Sequence, residues 1–278
     1  MDGFRIPIGQ HVDSLVDGLQ EHVGFVFDWI NDVVYATVMG IESVLLGIPF
    51  IVFVVITALI AWKLAGKGVA LFAIIGFLLV NNIGLWQPAM QTLSLVLTAE
   101  IITLLVGLPL GIIIAKHKGL DNSVRPVLDL MQTMPAFVYL IPAVMFFSLG
   151  RVPGVMATII FSMPPMIRLT SLGIKQVPND LVEAGHAFGC TPYQLLVKVE
   201  LPHALTTIMA GVNQSIMLAL SMVVIAAMIG AGGLGSMVLR GVQRVNIGLG
   251  FESGLAVVIL AIFLDRITQG LGKKKQEF

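Results

Sequence analysis

Seven long apolar stretches dominate this sequence, and each is close to the length that a helix needs to cross a bilayer. They cover approximately residues 43–62, 68–86, 90–115, 130–150, 153–173, 204–230 and 250–271. A spanning helix needs about 20 apolar residues, because no water is present in the bilayer to satisfy its backbone. Charged residues make up only 12% of the chain, about half the share typical of soluble domains. The sequence therefore predicts an all-α, multi-pass protein of the cell membrane with about seven transmembrane helices.

Prolines are concentrated in the fourth and fifth apolar stretches. They are Pro135, Pro142, Pro153, Pro164 and Pro165. Proline removes a backbone donor and clashes with the preceding helical turn, so the helices of this region are predicted to be kinked or broken. A bilayer tolerates such breaks only where protein or a water-lined cavity satisfies the freed groups.

Basic residues are distributed unequally between the two sides of the predicted membrane protein. If the polar segment 174–203 is cytoplasmic, twelve of the 16 lysines and arginines lie on that side. The remaining four are Arg5, Arg151, Arg240 and Arg244. Because cytoplasmic loops are enriched in basic residues, this distribution predicts an external N-terminus and a cytoplasmic C-terminus.

Residues 1–40 lack the basic start and short apolar core of a secretory signal peptide. From residue 12 to residue 34, apolar residues recur at helical spacing, and acidic residues lie off this stripe. An extracytoplasmic amphipathic helix is therefore predicted. Helices that bind lipid surfaces are usually basic, so packing against protein is favoured here. A contribution to docking an external partner stays open.

The most informative polar segment, residues 183–202, reads EAGHAFGCTPYQLLVKVELP. Asp180 and Glu183 have the spacing of a capping box, which predicts a helix that starts near Asp180. Gly189 can adopt a positive φ and is predicted to end this helix.

A second helix is predicted directly after Gly189. Thr191 and Pro192 suit its N-cap and its first position, and Leu201–Pro202 is predicted to close it. The segment is thus predicted to form a helix-turn-helix at the membrane surface, a shape suited to a groove on a partner protein.

This segment resembles the coupling loop of ABC importer permeases, whose signature is E-A-A, three residues, Gly, nine residues and then I-x-L-P. The corresponding residues are Glu183, Ala184, Gly185, Gly189, Val199, Leu201 and Pro202. Gly185 replaces the second Ala, at a helix-propensity cost of up to about 1 kcal/mol, and Val199 replaces Ile. The resemblance implies that this segment couples the chain to an ABC ATPase subunit.

Further segments resemble the permeases of quaternary ammonium importers. These segments are residues 132–142, 163–178, 208–235 and 256–266. The resemblance extends over about 41–271 and implies a type I importer transmembrane domain at 41–278, with two N-terminal spans at 43–86 and a five-helix core at about 90–271. It also implies a second permease copy, an ATPase subunit, an extracellular substrate-binding protein and a quaternary ammonium substrate such as glycine betaine.

Several features argue against a self-sufficient enzyme. The phosphate-binding pattern G-x-x-x-x-G-K-[ST] is missing from the sequence, so ATP and Mg²⁺ are expected on a separate ATPase subunit. Neither a catalytic constellation, nor a metal-ligand cluster, nor a nucleic-acid-binding pattern stands out. An aromatic cage for the substrate cannot be assigned from sequence, and the resemblance assigns it mainly to the binding protein.

Four residues are candidates for the translocation path. Glu100 is the acidic residue well inside a predicted span, and intramembrane carboxylates are often functional; a hydrogen bond to a neighbouring helix is the competing explanation. Met217, Ser221 and Met222 could line a path for a bulky methylated cation, or could simply pack in the bundle.

Two alternative functions stay open at this point. Permeases for other solutes, such as methionine or other amino acids, share the coupling loop. A secondary transporter driven by an ion gradient would typically contain internal repeats, and the two halves of this sequence do not match.

Overall fold

A computed structural model describes residues 8–274, and all regular elements in that range are helical. The α-helices are α1 (Ile8–Gly47), α2 (Phe50–Ala65), α3 (Lys67–Asn82), α4 (Trp86–Lys116), α5 (Lys118–Thr133), α6 (Leu140–Phe147), α7 (Arg151–Lys175), α8 (Asn179–Ala187), α9 (Pro192–Leu195), α10 (Leu201–Ala226), α11 (Gly233–Gln243) and α12 (Ile247–Lys274). The first seven residues of the predicted segment 1–40 and the last four residues of the chain lie outside the described range. The all-α prediction is confirmed.

Apolar helices occupy all seven predicted positions, but they differ in length. Five helical segments within the described range are long and apolar enough to cross a membrane: Val16–Gly47, Trp86–Lys116, Arg151–Lys175, Pro192–Ile229 and Ile247–Gly272. The bent pair α5 and α6 would make a sixth. The helices α2 and α3 have 16 residues each, fewer than a perpendicular span needs.

The predicted start of the first span at residue 43 is corrected. Helix α1 continues to Gly47, and the break falls at Ile48 and Pro49 instead. Pro49 has ψ near 135° and precedes α2, because its fixed ring suits a helix start and disrupts a helix interior. Helix α1 also adds a candidate span that the sequence pattern did not predict.

The proline-rich region behaves in two ways. Met134 and Pro135 are extended, and α5 and α6 meet there at 110°, which confirms the predicted break. Helix α7, by contrast, continues through Pro164 and Pro165, both of which are buried.

Helix α7 packs between α4 and α10 and forms the centre of the bundle. Glycines permit these close crossings, as small residues do at helix contacts in membranes. A Cβ atom on Gly111 of α4 would lie 2.8 Å from the carbonyl oxygen of Ile167. A Cβ atom on Gly173 of α7 would lie 3.1 Å from that of Ala204. The chain that links α7 to α10 is therefore held at the end of a tightly packed pair.

Candidate functional site

The segment that links α7 to α10 begins with α8, one residue before the predicted position. The N-cap is Pro178, and no side chain caps the helix. Asp180 and Glu183 therefore do not form the predicted capping box. The reason is register: with Pro178 at the N-cap, the N3 residue is Leu181 rather than Glu183.

The end of α8 is a complete Schellman motif centred on Gly189. Gly189 has φ +75°, and its N–H donates to the carbonyl of His186 at 2.9 Å. The N–H of Cys190 donates to the carbonyl of Gly185 at 3.0 Å. These are the two hydrogen bonds that define this C-cap. The predicted role of Gly189 as a helix stop is confirmed.

Thr191 caps the following helix α9, as predicted. Its Oγ1 accepts a hydrogen bond from the N–H of Gln194 at 3.3 Å, and its own N–H donates to the Gln194 Oε1 at 2.9 Å. This reciprocal pair is a capping box, and Pro192 occupies the first helical position. Two successive caps thus fix the turn between α8 and α9.

Leu201–Pro202 does not close the second helix, contrary to the prediction. The turn Leu196–Glu200 is π-helical and joins α9 to α10, so one helical segment extends over Pro192–Ile229. The wider turn accommodates Pro202, which would disrupt a regular α-helical interior. The N–H of Leu201 bonds to the carbonyl of Leu196, five residues earlier, and His203 Nδ1 lies 2.7 Å from the carbonyl oxygen of Val199.

The two short helices pack through Gly185 and Leu195, which are both buried. A Cβ atom on Gly185 would lie 2.6 Å from Leu195 Cδ1 and would meet nothing else within 3.4 Å. The departure from the E-A-A signature therefore coincides with a close side-chain contact.

We expect Gly185→Ala to be tolerated. Alanine gains up to about 1 kcal/mol of helix propensity, and the clash involves only the far end of a flexible leucine. The unfolding temperature of the purified protein should stay within about 3 °C of the wild type. Gly185→Leu tests whether a larger side chain fits between the two helices. It should lower the unfolding temperature, because Leu195 cannot move far enough to make room. Equal stability of both variants would contradict this packing.

The turn between α8 and α9 presents two aromatic side chains to the surroundings. Phe188 is 89% exposed and Tyr193 is 73% exposed. Glu183 and Ala184 are also exposed. Phe188 and Tyr193 are not identified as site residues from the sequence, although two aromatic residues inside a polar segment are a pattern that predicts a binding surface. Exposed aromatic residues on a fixed turn are typical anchors for a protein partner.

A partly buried ion pair fastens the base of this segment to α4. Lys116, the last residue of α4, pairs with Glu200 of the π-helical turn. Glu200 is buried, and its Oε2 has no hydrogen-bond partner among the described residues. Since a buried charge that loses its partner is strongly unfavourable, this pair holds the α9–α10 rod against α4.

Glu100 lies between α4 and α10, buried in the bundle. Ser215 of α10 donates a hydrogen bond to Glu100 Oε1 at 2.6 Å, whereas Oε2 has no partner in the described part of the chain. A second contact joins α4 to α7, where the hydroxyls of Thr103 and Ser162 lie 3.3 Å apart. These polar side chains connect the three central helices.

We expect Glu100→Gln to leave uptake unchanged between pH 5.5 and 8. The amide oxygen still accepts the Ser215 hydrogen bond, so the contact between α4 and α10 is kept. Glu100→Leu removes the acceptor and is the control for that contact. A pH-dependent loss of uptake in the glutamine variant alone would instead give the carboxylate a role in transport.

The other three path candidates do not share one surface. Met222 is completely buried, whereas Met217 is 43% exposed and Ser221 is exposed. Met217 and Ser221 are neighbours on one face of α10, since they are four residues apart and the Ser221 hydroxyl bonds to the Met217 carbonyl at 3.0 Å.

Comparison with known proteins identifies the family of this chain. Residues 107–275 match the family described as the binding-protein-dependent transport system inner membrane component. The chain belongs to this family. This permease is therefore a multi-pass membrane subunit of an ABC importer, which excludes the alternative of a secondary transporter driven by an ion gradient.

Several relatives of the permease match along most of its length. It is 54% identical to the glycine betaine transport system permease protein OpuAB of Bacillus subtilis, over 98% of this chain and 96% of the relative. It is 51% identical to the glycine betaine/proline betaine permease ProW of Escherichia coli, over 96% of this chain and 76% of that one. It is 50% identical to the glycine betaine/carnitine permease GbuB of Listeria monocytogenes, over 97% and 96%.

A solved structure resembles the permease in its fold. An inward-facing form of the MetNI methionine ABC transporter matches with a TM-score of 0.62 at 20% identity, over 66% of this chain and 92% of the other. At that identity the likeness concerns the fold alone. It confirms the predicted type I importer architecture.

Proposed function

We propose that this permease translocates glycine betaine or a related quaternary ammonium osmoprotectant into the cell, driven by ATP hydrolysis on a separate ATPase subunit. The names of the three relatives support the substrate class. In this proposal ATP and Mg²⁺ bind the ATPase, and an extracellular binding protein delivers the substrate.

The observation that most supports ATP coupling is the continuity between the α8–α9 turn and α10. Phe188 and Tyr193 project from a turn with two caps, and α9, the π-helical turn and α10 form one rod. A displacement of the turn by the ATPase is transmitted along this rod to the centre of the bundle, because packed helices move as rigid elements. In this proposal, the transmitted motion opens the pathway alternately to the two sides of the membrane. The loop residues Glu183, Ala184, Gly185 and Gly189 shape the surface that the ATPase binds.

The exposed face of α10 supports a second permease copy and a pathway beside it. Gln214, Met217 and Ser221 are exposed at helical spacing. The exposed face of α4, by contrast, is apolar and includes Ile101, Leu105 and Ile113. Polar residues in a spanning helix usually face protein or a water-filled cavity, so we place the α10 face toward an identical subunit and the substrate path.

The unequal distribution of basic residues gives the proposed orientation. The coupling segment and the C-terminus face the cytoplasm, and the N-terminus faces outward, so in this proposal α1 lies along the outer side and does not cross the membrane. In this orientation Lys63, Lys116 and Lys175 all lie at or near cytoplasmic ends of helices.

Reconstitution tests the proposal directly. The permease, its ATPase and its binding protein are placed in liposomes, and ATP-dependent uptake of labelled glycine betaine is measured with choline, carnitine, proline and methionine as competitors. We expect uptake that requires ATP and is reduced by the quaternary ammonium competitors. ATP-dependent uptake of methionine alone would keep the coupling and reject the substrate. Uptake that persists without the ATPase would reject both.

A further inference from the structure

A cleft far from the coupling segment lies between α1 and the junction of α6 with α7. Its volume is about 380 Å³, within the range of small-molecule sites. It lies at the start of α7, whereas the coupling segment follows the opposite end of that helix. One wall consists of Asp28, Asn31 and Tyr35 of α1. These three residues share a helix face because they are three and four residues apart.

The opposite wall is fixed to α1 by several contacts. The ring of Phe27 stacks on that of Phe146 with centroids 4.4 Å apart. Gln20 Nε2 donates a hydrogen bond to the carbonyl of Met145 at 2.5 Å. Arg151 forms an ion pair with the buried Glu42 of α1. The two walls are thus held together without a ligand, as expected of a preformed site.

The floor of the cleft is the α6–α7 junction, residues 148–150. Ser148 has φ +62° and ψ −155°, a region that is almost restricted to glycine. The N–H of Gly150 donates to the carbonyl of Ile229 at 2.9 Å, which ties the junction to the 3-10 turn that follows α10. Such a strained conformation persists only where its surroundings hold it in place.

The charge of the cleft is negative. Arg151 is the basic residue among its lining side chains, and Glu42 already neutralises it. Asp28 is exposed and forms no ion pair with another described residue. Tyr35 is 51% exposed, and its ring stacks on no other ring in the described range. A carboxylate beside open aromatic faces attracts a cation, and Phe147 adds a further ring.

We propose that this cleft binds a small organic cation with N-methyl groups, held by the Asp28 carboxylate and the ring of Tyr35. The choice of a methylated ammonium rests on the proposed function, whose substrate class carries such groups. The requirement for positive charge rests on the cleft alone. The site gives α1 a ligand-binding role on the permease itself, separate from the binding protein.

Binding of tritiated choline tests this site. The full-length permease and its ATPase are placed in nanodiscs without the binding protein, and displacement by tetramethylammonium and by the neutral analogue 3,3-dimethylbutan-1-ol is measured. We expect tetramethylammonium to displace choline and the neutral analogue to do so poorly. Asp28→Asn should weaken binding about fivefold, and Tyr35→Leu about two- to fivefold. Binding should also weaken at high salt.

Two matched variants on α1 serve as controls. Asp32→Asn and Trp29→Leu change the same kinds of side chain at exposed positions outside the cleft, and they should leave binding unchanged. Equal effects of cleft and control variants, or equal displacement by the neutral analogue, would overturn the site. Betaine uptake by the complete transporter without choline binding in nanodiscs would overturn the site and leave the proposed function intact. Choline binding that depends on Asp28, without betaine uptake, would support the site and overturn the proposed function.

Discussion

We expect Gly189→Val to lower ATP-coupled uptake about five- to thirtyfold while the permease still inserts in the membrane. Gly189 has φ +75°, and no atom outside its immediate neighbours lies within 4 Å of a Cβ built there. The effect of the substitution therefore comes from backbone strain and not from lack of space. An L-residue in the left-handed region is destabilised by roughly 1–2 kcal/mol, and a β-branched residue suits it least. We expect the valine to open the Schellman motif, so that the Phe188–Tyr193 surface loses its orientation.

Gly189→Asn is the matched control, because asparagine tolerates the left-handed region far better than valine. Uptake and ATP hydrolysis stimulated by the binding protein are measured in proteoliposomes that contain equal amounts of permease. The asparagine variant should retain most of both activities. If the two variants lose coupling equally, the positive φ of Gly189 is not what the docked surface requires.

Removing Arg151 causes the largest loss of stability that we predict. Its guanidinium pairs with Glu42, which is only 6% exposed and otherwise receives a hydrogen bond from Gln91 at 3.2 Å. Arg151→Met leaves this carboxylate buried without a counter-charge, at an expected cost of about 2–4 kcal/mol. The apparent Tm of the detergent-solubilised permease should fall by roughly 5–10 °C, because α1 loses its attachment to α7.

A double variant separates the ion pair from the loss of arginine packing. Arg151→Met combined with Glu42→Gln removes both charges and should recover at least half of the lost Tm, since no uncompensated charge stays buried. Arg244→Met is the surface control, as Arg244 is exposed and forms no ion pair with another described residue. A similar fall in Tm for Arg151→Met and Arg244→Met would contradict a special role of the Glu42 contact.

Local sequence rules predicted those parts of the coupling segment that depend on neighbours in the chain. The φ of Gly189 and the cap formed by Thr191 and Pro192 are decided by a few adjacent residues, so their prediction succeeded. The Asp180–Glu183 capping box failed because Pro178, two residues before Asp180, is the N-cap of α8. Pro202 was predicted as a helix stop, because the rule for proline does not anticipate a π-helical turn that absorbs it.

The contacts between distant segments could not be predicted in the same way. Glu100 was a recognisable intramembrane carboxylate, but its partner Ser215 is 115 residues away. The pairs of Lys116 with Glu200 and of Arg151 with Glu42 likewise join distant helices. Met217 and Met222 look equivalent in the sequence, yet one is exposed and the other buried, since rotation about the axis of α10 is fixed only by packing against α7.

The sequence by itself determined the membrane class, the helical fold and the chemical character of the coupling segment, because bilayer thickness and local backbone preferences act on short stretches of chain. Only the tertiary structure decided where α1 lies. It packed the acidic N-terminal helix against the start of α7 and so brought Asp28 and Tyr35 together with Phe147. Helical periodicity predicted which face of α1 is apolar. The contacts of Glu42 with Arg151 and of Phe27 with Phe146 decided which part of the protein this face packs against.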